Sequence, residues 1–344
     1  MKKKSIKIIS WTIVPVILIV AIAGSIIYGK LNAKASNVEK TIFIYIDDRK
    51  DYSDLLFQLE SVGKINDIHF FKQLADQMKY PNNIKTGRYE IHSDITYLEL
   101  VRLLRSGQQT PVKLTFNNIR LKKDLAERIG EQLMFSPDAL LAELNNPERC
   151  ESLGFDTTTI LTLFIPNTYD IYWNTSVDKF LERMKKEYDR FWTEERLAKA
   201  KAISLSPTDV SILASIVEEE TAVREEFPIV AGLYINRLKK GMLLQADPTV
   251  KFAVGDVTLR RVLIVHTLIE SPYNTYRNTG LPPGPIRIPS ISGMESVLNY
   301  RNHPYLYMCA KEDFSGTHNF AVTLSEHNQN ARKYQAALNR NNIR

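Results

Sequence analysis

Ser211-Ile-Leu-Ala-Ser-Ile-Val-Glu-Glu-Glu-Thr-Ala-Val223 is an apolar helical pattern that runs straight into three consecutive acids. At about 100° per residue, Glu220 has Ile216 and Val217 one turn behind it, Val223 ahead and Leu213 two turns behind, so it continues an apolar stripe. Glu218 lies over Ala214 and Ser215 and points nearly the opposite way, with Glu219 intermediate. One inward acid is therefore expected. A carboxyl at the end of an apolar stripe loses solvent, which raises its pKa and suits it to donate a proton near neutral pH. Ser206 as N-cap and Pro207 at the first helical position define where this helix starts, and with it the direction of Glu220. The competing reading is an acidic triplet on a solvated helix face. The rest of the chain bears on that choice.

With 344 residues, 44% hydrophobic and 24% charged, the chain can bury a sizeable core and is long enough for two or three domains. The formal net charge is +6, but apart from Lys2, Lys3, Lys4 and Lys7 the basic residues are dispersed and not interleaved with aromatics. That pattern favours an anionic membrane or an acidic polymer over nucleic acid. Cys150 and Cys309 stand in no CxxC or His-containing spacing and carry no metal or redox signature.

Residues 8–28 contain no charged side chain, and as a helix they would span about 31 Å, enough for a bilayer core of about 30 Å. The lysines ahead of this span outnumber Lys30 and Lys34 behind it, which predicts a cytoplasmic amino terminus and an extracytoplasmic remainder. Ala33-Lys34-Ala35 resembles a signal-peptide cleavage site, but the apolar span exceeds the usual length of about 7 to 15 residues, so an uncleaved anchor is expected. Pro15 is compatible with a membrane helix.

Downstream, Thr41–Ile46 reads as a strand, Tyr52–Ser61 and Ile68–Met78 as helices, and Lys85–Ile91 as a turn and strand. A helix over Thr96–Arg105 stopped by Gly107 and a strand over Val112–Phe116 complete a small mixed domain, whose order suggests a LysM-like module. His69 and His92 have no partner at metal-ligand spacing and read as surface or core residues. Arg120–Phe135 and Asp138–Leu144 are helical, the second started by Ser136-Pro137, and one long charged helix is expected from Val177 to about Ile203. Ile165–Trp173 reads as an ordered aromatic loop.

After Glu220, Phe227–Leu238 reads as a second amphipathic helix. Pro248 disfavours helix at Asp247 and would hold that carboxylate at a loop edge beside Gln245. Ser271–Tyr276 and Gly280–Ile286 form a Pro- and Gly-rich segment that excludes regular structure, and Tyr273, Asn274 and Tyr276 suit a carbohydrate groove.

Ala214-Ser-Ile-Val-Glu-Glu-Glu-Thr-Ala222, Ile235-Asn-Arg-Leu238, Leu244-Gln-Ala-Asp-Pro-Thr-Val250, Tyr273-Asn-Thr-Tyr276 and Gly280-Leu-Pro-Pro-Gly-Pro-Ile286 resemble, in order, the motif series of the MltG (YceG-like) endolytic murein transglycosylases. The resemblance covers roughly residues 41–340. It implies an α+β fold: a cytoplasmic tail (1–7), a transmembrane helix (8–28), a LysM-like subdomain (41–116), a helical bridge (117–204) and a larger catalytic domain (205–344). The family's catalytic glutamate is the second acid of a Glu-x-Glu-Thr pattern, which falls on Glu220. Glu219 occupies a middle position that is often lysine in the family, and its charge is expected to raise the pKa of Glu220 further. Gly316–Phe320 and Ser325–Asn328 fall where the family has similar His- and Asn-bearing stretches, so His318 and His327 are expected to line the groove or serve structure.

The implied reaction is non-hydrolytic cleavage of the β-1,4 bond between N-acetylmuramic acid and N-acetylglucosamine in nascent strands, leaving a 1,6-anhydro end. Glu220 would act as both acid and base, with Asn236, Arg237, Gln245, Asp247, Tyr273, Asn274 and Tyr276 holding the glycan. No cofactor or metal is implied. The implied partners are peptidoglycan glycan strands, the plasma membrane through one helix and cell-wall synthases, without nucleic acid. Two rivals stay open: a muramidase in which Asp247 joins Glu220 in hydrolysis, and a non-catalytic wall-binding scaffold.

Overall fold

The computed structural model describes residues 2–256, 259 and 261–341, with side chains from Val14 onward. It divides into two compact units, Met1–Lys113 with Asp170–Thr175, and Leu114–Tyr169 with Ser176–Arg344. The stretch expected as a separate bridge is thus shared between them: 117–169 and 176–204 pack with the carboxy-terminal part.

The first unit opens with helix α1 (Lys2–Leu31), within which Val14–Leu31 is apolar enough to cross a membrane and has none of its residues buried. The unit continues with β1 (Ile42–Ile46), α2 (Tyr52–Ser61), α3 (Ile68–Gln77), β2 (Gly87–Ile91), α4 (Tyr97–Ser106) and the start of β3 (Val112–Thr115). β1 and β2 pair antiparallel, with Ile42 opposite Ile91 and Ile46 opposite Gly87. The inward residues Ile44, Ile46, Tyr89 and Ile91 meet Leu55, Leu59, Phe71, Leu100 and Leu104 in one core. Local signals set the boundaries: Asp51 accepts hydrogen bonds from the backbone N–H groups of Ser53 and Asp54. Thr96 and Glu99 form a capping box, and Gly107 ends α4 at φ +75°. The carboxy-terminal end of α1 is tied to this unit by a Lys30–Asp67 ion pair of 3.1 Å, and the following chain by Ala35 N–H donating to Ile95 O at 2.8 Å.

The second unit is mostly helical. Before its centre come α5 (Lys122–Gly130), α6 (Pro137–Asn145), α7 (Pro147–Ser152), the start of β4 (Thr168–Ile171), α8 (Val177–Phe191) and α9 (Glu194–Ala202). α8 and α9 replace the single long helix expected there. Phe191 and Trp192 both turn into the core, Trp192 leaves helical geometry at ψ 69°, and the Thr193 hydroxyl restarts the helix by accepting from Arg196 N–H. The Arg196 guanidinium then fixes the corner by donating to Phe191 O at 2.6 Å and to Glu295 at 2.7 Å.

α10 (Pro207–Glu220) is the centre of the unit, surrounded by α9, α11 (Phe227–Lys239), α12 (Asp247–Val254) and α14 (Ile291–Leu298), with the short α13 (Ile264–Thr267) beside α12. Val210 through Val217 are all buried, so α10 is a core helix enclosed on every side and not the one-striped amphipathic helix that was expected. Its two internal serines are satisfied locally: Ser211 donates to Pro207 O, while Ser215 donates to Ile212 O and accepts from Ile286 N–H at 3.1 Å, fastening the Pro-rich loop to the helix. The chain closes with the antiparallel hairpin β5 (Tyr307–Ala310) and β6 (His318–Ala321), and with α15 (Leu324–Arg340), which packs on both strands.

Candidate active site

The three acids at the end of α10 leave the helix in three directions, and none is a solvated surface group. Glu218, 6% exposed at its side chain, accepts from the backbone N–H of Ser290 at 3.1 and 3.2 Å and from the Ser290 hydroxyl, at the N-cap of α14. A Cβ on Gly293 would stand 2.5 Å from its carboxylate, so a larger residue there would displace the Glu218 side chain from Ser290. Glu219 accepts from Arg120 at 2.9 Å through each oxygen and from Arg287 at 2.7 Å. The expectation of one inward acid is corrected accordingly: a helix end buried on all sides offers each acid its own partners.

Of the three acids, Glu220 is the one that opens on the cavity of about 360 Å³ shared with Asp247 and Tyr276. Tyr234, one turn ahead of Arg237 on α11, donates its hydroxyl to Glu220 Oε1 at 2.5 Å. Burial pushes the Glu220 carboxyl up to about 7; the Tyr234 hydrogen bond opposes this, and the charge of Asp247 adds to it. The neighbouring acid that raises Glu220 is therefore Asp247 and not Glu219, whose charge is taken up by its two arginines. Tyr234, enclosed and facing a carboxylate, is itself raised well above the ordinary phenol value.

Asp247 stands across the cavity at the first residue of α12, with Pro248 at the following position. Tyr276 donates to Asp247 Oδ1 at 2.6 Å. Gln245 lines the same cavity at φ +49°, a left-handed backbone that non-glycine residues seldom adopt. It is held there by its N–H donating to Thr275 O at 3.0 Å. Arg237 also reaches the cavity, but its guanidinium donates to Leu306 O at 2.6 Å, Leu244 O at 2.9 Å and Leu243 O at 3.1 Å. It clamps the wall while supplying positive charge there.

The structure thus gathers Glu220, Arg237, Gln245, Asp247 and Tyr276, and turns three expected groove residues elsewhere. The Asn236 amide donates to His303 O at 2.6 Å and Tyr305 O at 3.1 Å. Asn274 is buried, donating to Thr267 O and Ile269 O and accepting from Tyr276 N–H. Tyr273 packs its ring on Phe252 at 4.8 Å. The physical reason is common to the two asparagines: loops without regular structure must satisfy buried backbone groups with side chains, and amides beside them do so, while Tyr273 buries its ring. Tyr234 was missed from sequence; its signal was a hydroxyl three residues before Arg237, on the same face of the same helix.

His318 and His327 line the cavity, as do Tyr307 and Cys309. His327 stacks on Tyr307 at 5.5 Å, and burial holds its pKa below the usual imidazole value. Cys150 and Cys309 are both free thiols. Among the described residues, no group of three or more His, Cys, Asp and Glu is placed to hold a metal ion.

A mixed α+β chain with an amino-terminal helix apolar enough to cross a membrane, and with a glutamate and an aspartate lining one cavity, has the form of an acid–base enzyme. It belongs to the YceG-like family, whose model matches residues 44–333. It is 29% identical over 339 residues to the endolytic murein transglycosylase of Bacillus subtilis (strain 168), covering 92% of each chain. It is 25% identical over 329 residues to the protein of that name from Streptococcus pneumoniae serotype 2, covering 87% of this chain and 59% of the longer pneumococcal one. A crystal structure of a yceG-like protein from Listeria monocytogenes aligns with a TM-score of 0.54 at 28% identity, over 85% of this chain and 99% of that one.

Proposed function

We propose that this chain is a membrane-anchored endolytic lytic transglycosylase that cuts the N-acetylmuramic acid to N-acetylglucosamine β-1,4 bond of nascent peptidoglycan strands. The observation that carries the reading is the Glu220 carboxyl, raised to about 7 by burial in a cavity that also holds Asp247, Tyr276 and Arg237. At neutral pH such a group is populated both as acid and as base, the condition for one residue to serve in both halves of a reaction.

Glu220 in its protonated form gives its proton to the bridging oxygen as the C1–O bond breaks. The resulting carboxylate then accepts the proton of the muramic acid C6 hydroxyl while that oxygen bonds to C1. The products are a free 4-hydroxyl and a 1,6-anhydro end, with no water consumed and Glu220 returned to its starting state. Positive charge developing at C1 faces the Asp247 carboxylate, which Tyr276 orients. Tyr234 steadies Glu220 through its 2.5 Å bond in the ionised half of the cycle. Gln245 and Arg237 contribute amide and guanidinium groups to the cavity wall for the saccharide.

Asp247 also motivates the hydrolytic reading, in which it would activate water or attack C1. Mass spectrometry of uncrosslinked glycan strands digested with the purified full-length protein separates the two. Anhydro ends are expected; reducing ends would convert the assignment to muramidase.

The apolar stretch Val14–Leu31 supplies a single-pass anchor. The lysines ahead of it support a cytoplasmic amino terminus and an extracytoplasmic cavity, in reach of strands emerging from membrane-bound cell-wall synthases. Protease added to spheroplasts should degrade everything beyond the anchor; protection of that part would reverse the orientation.

A further inference from the structure

Beyond Glu220 and its immediate neighbours, the cavity wall carries a second organised pair. Glu226 follows α10 by six positions and is buried, with 9% of its side chain exposed. Its carboxylate receives three donors: the Thr221 hydroxyl at 3.0 Å, the backbone N–H of His318 at 2.7 Å, and the His318 ring at Nδ1, 2.8 Å away. A carboxylate already accepting from a backbone N–H and a hydroxyl is an acceptor toward the imidazole as well, so the ring donates from Nδ1. Nε2 is then the ring nitrogen left to a ligand, on a side chain that lines the cavity with Glu220. A buried carboxylate that fixes the tautomer and angle of an imidazole aimed into a site is the arrangement by which proteins hold a histidine for work at its other nitrogen.

The linkage also runs back to Glu220. Thr221, the donor to Glu226, is the next residue in the chain and caps the end of α10. Glu226 therefore couples the residue beside the acid to β6 on the opposite wall, and it fixes His318 relative to Glu220 without a direct bond between them.

We propose that His318 is a saccharide-binding residue that presents Nε2 to a hydroxyl of the glycan in the Glu220 cavity, and that Glu226 and Thr221 are its positioning residues. The proposal rests on the reading of the cavity as a glycan site. Nε2, the ring nitrogen not engaged by Glu226, accepts from a sugar hydroxyl and so fixes the saccharide whose bridging oxygen Glu220 must protonate.

His318→Asn tests it. The asparagine amide nitrogen replaces the Nδ1 donor to Glu226, while nothing replaces Nε2. In the full-length protein, the expected result is an unchanged melting midpoint with kcat/KM for glycan strands lowered about 10-fold or more, the order expected when a hydrogen bond to substrate is lost. Native kcat/KM in the asparagine variant would overturn the proposal, because the ring would then serve only to hold β6. A second measurement does not depend on that variant folding. In the Glu220→Gln protein, NMR of the histidine ring nitrogens during titration with uncrosslinked glycan strands should show the His318 Nε2 resonance moving at saturation. A resonance that stays in place while glycan binds would likewise overturn it. Formation of anhydro ends by the native protein is scored separately, so a failure of the transglycosylase reading is told apart from a failure of the His318 assignment.

Discussion

The Tyr234 hydroxyl donates a 2.5 Å hydrogen bond to Oε1 of Glu220, joining the end of α10 to the middle of α11 at the floor of the cavity. This bond opposes burial in setting the affinity of Glu220 for its proton, because it favours the ionised carboxylate. Tyr234→Phe removes the hydroxyl and leaves the ring. The Glu220 pKa should then rise above its native value of about 7, and the alkaline limb of the kcat–pH profile should move to higher pH with it. An unshifted limb would show that another group sets it.

Stability should also depend on Glu220. Its folded pKa of about 7 lies above the ordinary value of 4.5, so the folded state binds a proton more tightly than the unfolded one. For a raised acid, this contribution is complete below the unfolded value and disappears as pH rises from there through the folded value. The span corresponds to at most about 3 kcal/mol. Denaturant unfolding of the native protein should therefore weaken between pH 5 and pH 8. Glu220→Gln, which has no proton to lose, should be less sensitive to pH over that interval. Parallel curves for the two proteins would contradict the burial account.

The Tyr273–Tyr276 motif divides into a structural part and a cavity part. Asn274 is buried and satisfies two backbone carbonyls, so Asn274→Ala should cost about 1 to 3 kcal/mol of stability through the groups left unpaired. Tyr276→Phe keeps the ring and frees Asp247 of its 2.6 Å partner, and should lower kcat with little change in thermal midpoint. Circular dichroism melts and initial rates on the two variants check this. Equal stability losses in both would mean that Tyr276 is only packing.

Much of this was legible in the chain. The helix starts at Ser136 and Ser206, the stop at Gly107 and the apolar amino-terminal span are local signals and appear where short-range chemistry puts them. Glu220 was reached from helical phase. The reason was partly wrong, because a helix enclosed on all faces has no single stripe and the phase only distributes the three acids among neighbours. Those neighbours, Ser290, Arg120, Arg287 and Tyr234, are 14 to 99 positions away in sequence, and no periodicity reports such pairings. The same limit explains Asn236 and Asn274: sugar-binding amides and loop-supporting amides are the same residue type, and only tertiary contacts separate them. The β5–β6 hairpin and α14, which close the cavity and hold Glu218, were likewise not read from their short segments.

The most direct test of the central claim is the yield of 1,6-anhydromuramic ends from uncrosslinked glycan strands, measured by mass spectrometry for the native, Glu220→Gln and Asp247→Asn proteins. Loss of general acid and base assistance is worth about 10² to 10⁴-fold, so Glu220→Gln should fall by that much while remaining folded. Asp247→Asn should retain a residue of anhydro product, since Asp247 stabilises charge and transfers no proton. Native-level anhydro product from Glu220→Gln, or products ending in reducing muramic acid from the native protein, would contradict the assignment of Glu220 as the single acid and base.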